Sequence, residues 1–430
     1  MKPHEQIILC AGALLALAVF SAHSADPLLG ISPVGSNVVM TFSGRLQASA
    51  RVEGPFTNVL GATSPYVWSP VNHSRQFWRS RMGGMTFSAG GDFTLALKHD
   101  GSLWGWGGNH FRQLGIGEDR DIVPEPTRVV GDDWAAVACG SSHTVAIKTD
   151  GSLWECGGGL INQPTRVGTE RGWVALAAGI GHNMVLKGDG SLWGWGGNVH
   201  GELGLGNLDY ALQPTQVGAD TDWKTLACGL YFTLAIKTDG TLWAWGDNDG
   251  FGNGPVNFVS TNVPTRFGTS SDWATVACGF RPQGISGFLR GYALGIKTDG
   301  SLWGWGYNHY GQLGNGTFDN SNQPVRVGTD TNWAVVSCGH YHTTALKTDG
   351  TLWAWGSNGS GELGIGTTGG TNNSPVQVGT EKDWTAVSCG FGHTVALKQE
   401  GSLWWWGASS ATRTNHNRPL LINADTNWDR

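Results

Sequence analysis

Asp299-Gly300-Ser301-Leu302-Trp303-Gly304-Trp305-Gly306 is one of seven near-copies of a single phrase. Its core, Gly then Ser or Thr, then Leu and Trp, begins at Gly101, Gly151, Gly190, Gly240, Gly300, Gly350 and Gly401. A period of about 50 residues belongs to propellers and solenoids rather than to unrelated domains. A residue that recurs in every copy serves the architecture. Function has to be sought in what differs between copies.

Outward from that phrase, each copy keeps one order. A Trp opens a short β-prone run ending in a small residue and Gly, as from Trp134 to Cys139-Gly140. An alternating strand follows, His143 to Lys148, then Asp150-Gly151 and the strand carrying Trp154. Asp-Gly between alternating apolar runs predicts a hairpin with a type I′ turn. Glu400-Gly401 replaces it in the last copy. Most copies continue as Trp-Gly-x-Asn and Gln/Glu-Leu-Gly-x-Gly, as at Trp305 to Asn308 and Gln312 to Gly316, and close on a strand that begins with Pro, such as Pro324. Pro suits an edge, so the fourth strand should be outermost.

Four short antiparallel strands per unit, seven units and no helical periodicity predict an all-β chain. It should form a seven-bladed β-propeller of four-stranded blades with a short N-terminal β extension. The second blade should be shortest, because Cys156 leads almost directly to Pro164. Of the 23 Trp, all but Trp68, Trp78 and Trp405 fall on three repeat positions: the strand opener, the hairpin and the residue before Gly. They are expected as structural rings stacked between blades.

The combination Cys-Gly-x-x-His-Thr, Asp-Gly-x-Leu-Trp, Trp-Gly-x-Asn and Gly-Gln-Leu-Gly-x-Gly resembles the regulator of chromosome condensation repeat family, over roughly residues 82–428. The resemblance implies a seven-bladed propeller. It does not imply one function, since that family includes nucleotide exchange factors, a plant UV-B photoreceptor and secreted inhibitors of bacterial enzymes. The photoreceptor would require Trp-Arg pairs where this chain has Ser141-Ser142, Ile180-Gly181, Leu230-Tyr231, His340-Tyr341 and Phe391-Gly392.

Three divisions are expected: residues 1–24 as a secretory signal, 25–81 as a short β-rich segment and 82–430 as the propeller. Lys2, the apolar run Ile7 to Phe20 and Ala22-His23-Ser24 have the form of a cleavable leader. That run is too short to span a bilayer, so the mature chain is expected to be exported, without a membrane span, and monomeric. Export argues against an exchange factor. Within 25–81, Gly54-Pro55-Phe56, Ser64-Pro65-Tyr66 and Phe77-Trp78-Arg79 resemble a short β module of exported bacterial proteins.

Several features invite chemistry and are better read as architecture. Cys139, Cys228, Cys278, Cys338 and Cys389 share a repeat position that Ala89 and Ala178 also fill, so they are expected as buried free thiols. His143, His182, His342 and His393 share another with Phe93, Phe232 and Tyr292, a packing and hydrogen-bonding site rather than a metal centre. Lys98, Lys148, Lys187, Lys237, Lys297, Lys347 and Lys398 occur once per blade beside the turn and are expected as a solvated ring. A formal charge of −6 and the lack of any Lys/Arg run weigh against nucleic acid. The glycine loops follow Trp-Gly rather than a βα junction, which argues against a phosphate loop. No catalytic constellation, metal or cofactor is expected.

What varies is confined to two loops per blade, one after the first strand and one after Trp-Gly-x-Asn, which alternating strand directions place on one face. Blade-specific residues there include His110, Phe111, His200, Leu230, Tyr231, Phe251, His309, Tyr310, His340, Tyr341 and Phe391. Blade five adds an insertion from Phe280 to Gly291, with Arg281, Phe288 and Arg290. Aromatic and Arg side chains on a preformed surface have the composition of protein-interface hot spots. The partner-binding residues expected are His110, Phe111, Tyr231, Phe280, Arg281, Phe288, Arg290, Tyr310, Tyr341 and Phe391. The chain is thus read as a secreted, non-enzymatic scaffold for a protein partner, with enzyme inhibition as a special case and a glycan as the alternative ligand.

Overall fold

A computed structural model describes residues 86–159, 161–247, 260–280, 291–408 and 414–428, together with short backbone strands between residues 7 and 68. The chain divides into two units, Met1–Gly84 and Met85–Arg430. The first contains a four-stranded sheet of Ile7–Leu9, Ala18–Ser21, Gln47–Ser49 and Thr57–Asn58, and a three-stranded sheet of Leu29–Val34, Asn37–Phe42 and Tyr66–Trp68. Residues expected as a secretory leader thus supply two of its strands.

The second unit is a seven-bladed propeller with no helix among the described residues. Its blades span 87–128, 134–167, 173–216, 223–266, 273–326, 333–377 and 384–421. In every blade the four strands pair antiparallel in sequence order. First strands of adjacent blades lie against one another around the axis, so the Pro-bearing fourth strand is outermost, as expected. Blade 2 is the shortest.

The repeated phrase has a specific geometry. Gly300 N–H donates to the Lys297 carbonyl (2.9 Å) and Lys297 N–H to the Ser301 carbonyl (3.0 Å). Only the glycine of each turn has positive φ, between 75 and 91° across the seven copies. The hairpin is therefore a three-residue loop, a type I turn closed by a left-handed glycine, and not the expected type I′ turn. The difference frees the Asp side chain. Asp299 Oδ1 accepts the Ser301 N–H (2.9 Å) and hydroxyl (2.6 Å), and Ser301 Oγ accepts the Trp303 indole N–H (2.9 Å). All seven blades repeat this relay, with Glu400, Ser402 and Trp404 in the last.

The relay holds the hairpin indole edge-on to the strand opener of the same blade, as in Trp173–Trp193 at 5.7 Å and 88°. These rings meet within blades, whereas stacking between blades was expected. Between the two indoles sits the lysine. Lys347 Nζ is 4.7 Å from the Trp333 ring centre and 4.0 Å from that of Trp353, and the other six lysines are placed alike. Six of them also meet a carboxylate, among them Lys347 with Asp330 (2.6 Å) and Lys237 with Asp220 (2.7 Å). Burial alone would lower the Lys237 pKa, but its hydrogen bonds to Asp220 and Asp222 outweigh this and raise it. The solvated lysine ring expected from the sequence is thus a set of largely buried structural cations. Spacing along the chain reports one lysine per turn but not the second indole that covers it.

The apolar core is a circle of clusters, each straddling two blades. The Trp before Gly carries the junction: the indole N–H groups of Trp355 and Trp406 donate to the carbonyls of Gln312 and Glu362 in the preceding blade, both at 2.9 Å. By area, one such buried ring is worth roughly 4–6 kcal/mol as an upper figure. Leu114, Leu203, Leu313 and Leu363 of the glycine loops fill the rest, against a Gly or Ala on the third strand. Blades 2, 4 and 7 have no such leucine in sequence. In blade 2, Glu155 stands at the Gly/Ala position and accepts the Trp195 indole N–H (3.0 Å). In blade 4, Phe267 replaces a valine and stacks on Trp305 at 5.6 Å. In blade 7, Trp405 packs against the cluster shared with blade 1. Cys156, where other copies have Trp, borders a cavity of about 10 Å³ beside Trp134 and Pro164.

The C-terminal segment closes the ring. Trp428 bridges to Lys98 as Trp134 pairs with Lys148, so it serves as the strand opener of blade 1. Lys98 Nζ lies 4.3 Å from the Trp104 ring and 4.9 Å from that of Trp428, and bonds Asp425 at 2.7 Å. Ser337, Ser388 and Ser88 accept the N–H groups of Cys389, Ala89 and Cys139, each at 3.0 Å, tying inner strands from blade 6 through to blade 2.

The repeat-position histidines also join blades. Nε2 of His182, His342 and His393 lies 3.2, 3.0 and 3.1 Å from the hydroxyls of Thr233, Thr394 and Thr94. Thr233 and Thr394 donate onward to the carbonyls of Glu202 and Glu362, so Nε2 of His182 and His342 must be the donor to them. Burial pushes the pKa of His182 and His342 down to about 3 and that of His393 to about 4.

In the unfolded chain these imidazoles take up protons below pH about 6.5, whereas the folded protein leaves them neutral. Stability should be full above that pH and fall towards pH 4, each histidine contributing a slope of up to about 1.4 kcal/mol per pH unit. Urea midpoints from pH 7 to 4 test this, and His342→Phe, the residue type of blades 1 and 4, should flatten the slope. A pH-independent midpoint would contradict it. The six cysteines among the described residues are free. Burial pushes the Cys139 thiol up to about 12 and the Cys389 thiol up to about 11. Thiol labelling of the native protein should be slow and become rapid in denaturant; rapid native labelling of a repeat-position cysteine would contradict that burial.

Candidate functional site

On the face opposite the Asp-Gly turns, two loops from neighbouring blades meet where blade 3 adjoins blade 4 and where blade 5 adjoins blade 6. Within the loop after Trp-Gly-x-Asn, a Gln or Glu accepts the N–H two residues earlier. Gln312 Oε1 takes that of Tyr310 at 3.0 Å, and Glu202 Oε2 that of His200 at 2.8 Å. This turn aims the side chain of the residue whose N–H it holds at the first loop of the next blade. The outcome is a repeated ring pair: Tyr310–Tyr341 at 4.2 Å between blades 5 and 6, and His200–Tyr231 at 4.4 Å between blades 3 and 4.

Around Tyr341 the rings run on without a break. Tyr307 lies 4.8 Å from His309 and 6.5 Å from Tyr341. His340 stacks on Tyr341 at 3.9 Å and 17° and reaches Phe391 at 5.5 Å. Phe391 lies close against the Gly91 backbone of blade 1, to which its N–H donates (3.1 Å). The strip thus crosses blades 5, 6 and 7. Tyr310, His340, Tyr341 and Phe391 are half-buried and His309 is exposed, so ring faces are both held and accessible.

Of the expected partner-binding residues, the strip gathers Tyr310, Tyr341 and Phe391. Tyr231 belongs to the second ring pair. His110 and Phe111 stand apart on blade 1, where Phe111 is 52% exposed and His110 Nδ1 lies 3.7 Å from Asp121. Leu230 is buried rather than displayed. Arg281, Phe288 and Arg290 lie outside the described residues, as does Phe251; Phe280 is described only as backbone, at the end of the strand Trp273–Phe280.

Sequence reasoning missed Tyr307 and the carboxylates Asp92, Glu202 and Asp247. Asp92 fills space open only because residue 108 is Gly; a Cβ there would lie 2.1 Å from its Oδ2. Burial raises the Asp92 pKa, opposed by its backbone hydrogen bond, nearby His110 and a bond to Gln113. Burial likewise raises that of Glu202. The available signal was departure from the repeat: at the position after Trp-Gly, Tyr307 and Asp247 stand where blades 1 and 3 have Gly108 and Gly197. Among the described residues, no group of three or more His, Cys, Asp or Glu could hold a metal ion. No helix among them is long and apolar enough to cross a membrane.

Comparison with known proteins agrees with this architecture. Two models of the regulator of chromosome condensation (RCC1) repeat match the chain, one at residues 100–147, 189–236, 299–346 and 349–397. The other matches 86–113, 173–202, 223–253, 334–362 and 384–411. Protein RCC2 of Mus musculus and of Homo sapiens is 32% identical over 136 residues, which is 31% of this chain and 26% of either relative. The match therefore spans about a quarter of those proteins. Human WBSCR16 superposes with a TM-score of 0.63 at 23% identity, covering 75% of this chain and 88% of that one. Prp20p from Saccharomyces cerevisiae, whose structure was described with its binding properties to Gsp1p and histones, gives 0.65 at 20% identity, covering 79% and 87%. At these identities the structures establish the shared fold.

Proposed function

Because the chain belongs to the regulator of chromosome condensation repeat family, whose models match more than half of it, we propose that it is an exported, non-enzymatic scaffold that holds a protein partner on the loop face of its ring. The observation that carries this reading is the aromatic strip Tyr310–Tyr341–His340–Phe391, backed by the buried Tyr307, a held and accessible set of ring faces on three adjacent blades. Aromatic rings fixed before binding offer contact area at little entropic cost, which is what interface hot spots require. Protein binding by Prp20p on the same fold supports a protein ligand. Export rests on Lys2 and the apolar run from Ile7 to Phe20. The chain acts as a monomer, and inhibition of a secreted enzyme is one form the activity would take.

The test is capture of a partner from the extracellular or periplasmic fraction of the source cells, followed by affinity measurement with variants. Tyr310→Ala, Tyr341→Ala and Phe391→Ala should each weaken binding by up to roughly thirtyfold, equivalent to about 2 kcal/mol for a central hot-spot ring. Lys224→Ala and Lys382→Ala, exposed residues on the turn side, should change affinity little. Loss of binding in the lysine variants with retention in the aromatic ones would overturn the assignment. Binding to a glycan array that the ring variants abolish, with no protein captured, would replace the protein partner by a sugar.

A further inference from the structure

Five apolar side chains stand in solvent on the outer shoulder of blades 3 and 4. Val199 is 70% exposed, Leu208 56%, Tyr210 65%, Leu212 80% and Val263 45%, half of all the large exposed hydrophobics among the described residues. They are neighbours. The Asn198 side-chain amide donates to the Asn207 carbonyl (3.0 Å), which draws Val199 towards Leu208. Leu208, Tyr210 and Leu212 follow at alternate positions into the outermost strand Ala211–Gln216. Gly206 N–H donates to the Asn262 carbonyl (2.8 Å), and a Cβ on Gly206 would lie 3.8 Å from Val263 Cγ1, so blade 4 continues the surface. The fold does not demand these residues: blade 5 places Asn320 and Asn322 where blade 3 has Tyr210 and Leu212.

Charge specifies what would cover them. Beside Val199, the His200 ring lies on Tyr231, and its Nδ1 is 4.0 Å from Asp247 Oδ2. Glu202 is buried beneath the same turn. The corresponding junction of blades 5 and 6 has Gln312 and Ser357 in place of Glu202 and Asp247. Burial raises the Tyr231 pKa, and the negative charges of Glu202 and Asp247 raise it further, which marks a negative local field. Residues 198–213, 228–233, 247 and 260–264 include Glu202, Asp209 and Asp247 but no Lys or Arg. A contiguous apolar patch of this kind marks an interaction site, and complementarity to a one-signed rim selects an oppositely charged partner.

We propose that this shoulder docks a protein segment presenting aliphatic side chains beside a lysine or arginine, whose cation lies over the His200–Tyr231 pair in the negative field of Asp247 and Glu202 beneath it. The aliphatic groups cover Tyr210, Leu212 and Val263. The proposal rests on the reading of a protein partner and adds a second contact, separate from the strip on blades 5 to 7.

Fluorescence anisotropy of the full chain with two labelled peptides tests it, one of alternating leucine and arginine, the other of alternating leucine and glutamate. The arginine peptide should bind at least tenfold more tightly. Asp247→Asn, Leu212→Ser and Tyr210→Ser should each weaken it at least tenfold, whereas Asp133→Asn on the turn side and Tyr341→Ala on the strip should not. Tyr210 and Leu212 are exposed, so their variants retain the fold, which the melting temperature verifies. Equal binding of the two peptides, or equal losses with Asp247→Asn and Asp133→Asn, would overturn the proposal. Because Tyr341→Ala reports on the strip alone, partner capture that still depends on Tyr341 would leave the wider function standing if the shoulder failed.

Discussion

An ammonium group held between two indole rings is the interaction on which this propeller depends. Each lysine is largely withdrawn from water, so its charge has to be met inside the fold. Two ring faces at 4.0 to 5.2 Å, and in six blades a carboxylate, meet it. A desolvated cation–π contact is worth about 2 kcal/mol, and removing one partner of a buried charge costs more than the contact itself. That explains the recurrence of the phrase from Asp or Glu to Trp in all seven copies. The carboxylate fixes the hydroxyl, the hydroxyl fixes the indole, and the indole, with the opener, encloses the lysine. The same unit sets strand direction, brings the opener of each blade onto its own hairpin and leaves the opposite loops free to vary.

That freedom has conditions. A loop that contributes a leucine to the next junction can be lost only if another side chain fills its place. Blades 2, 4 and 7 do so with Glu155, Phe267 and Trp405, three unrelated chemical solutions to one packing requirement. The retained loops serve both purposes: Leu313 faces the core while Tyr310, three residues earlier, joins the aromatic strip. The loop face is therefore built on the same turns that pack the ring, which keeps its rings in place before any partner arrives.

The blades were legible in the sequence because period, turn chemistry and tryptophan positions all agree. The variation between copies at the loop positions pointed to Tyr310, Tyr341 and Phe391, which the fold brings into one strip. Contacts between copies were less legible. The lysines looked solvated because the sequence places each beside a turn without showing the opener Trp some 14 residues earlier folded onto it. Asp-Gly suggested the commonest two-residue hairpin, and only the Asp–Ser–Trp relay shows why a three-residue loop is used instead. Asp247 and Glu202 were hidden among turn residues, because their approach to Tyr231 depends on two different blades meeting.

The seventh enclosure is the most exposed to test, since its opener, Trp428, comes from the far end of the chain. Hydrogen exchange of Trp428→Ala addresses it directly. The account predicts a loss of roughly 3–5 kcal/mol in protection, beginning at the strand Phe93–Leu97 of blade 1 and its junction with blade 7, with blades 3 to 5 retaining theirs at early times. Unchanged protection around Lys98 would contradict the claim that the lysine between two indoles holds the ring closed.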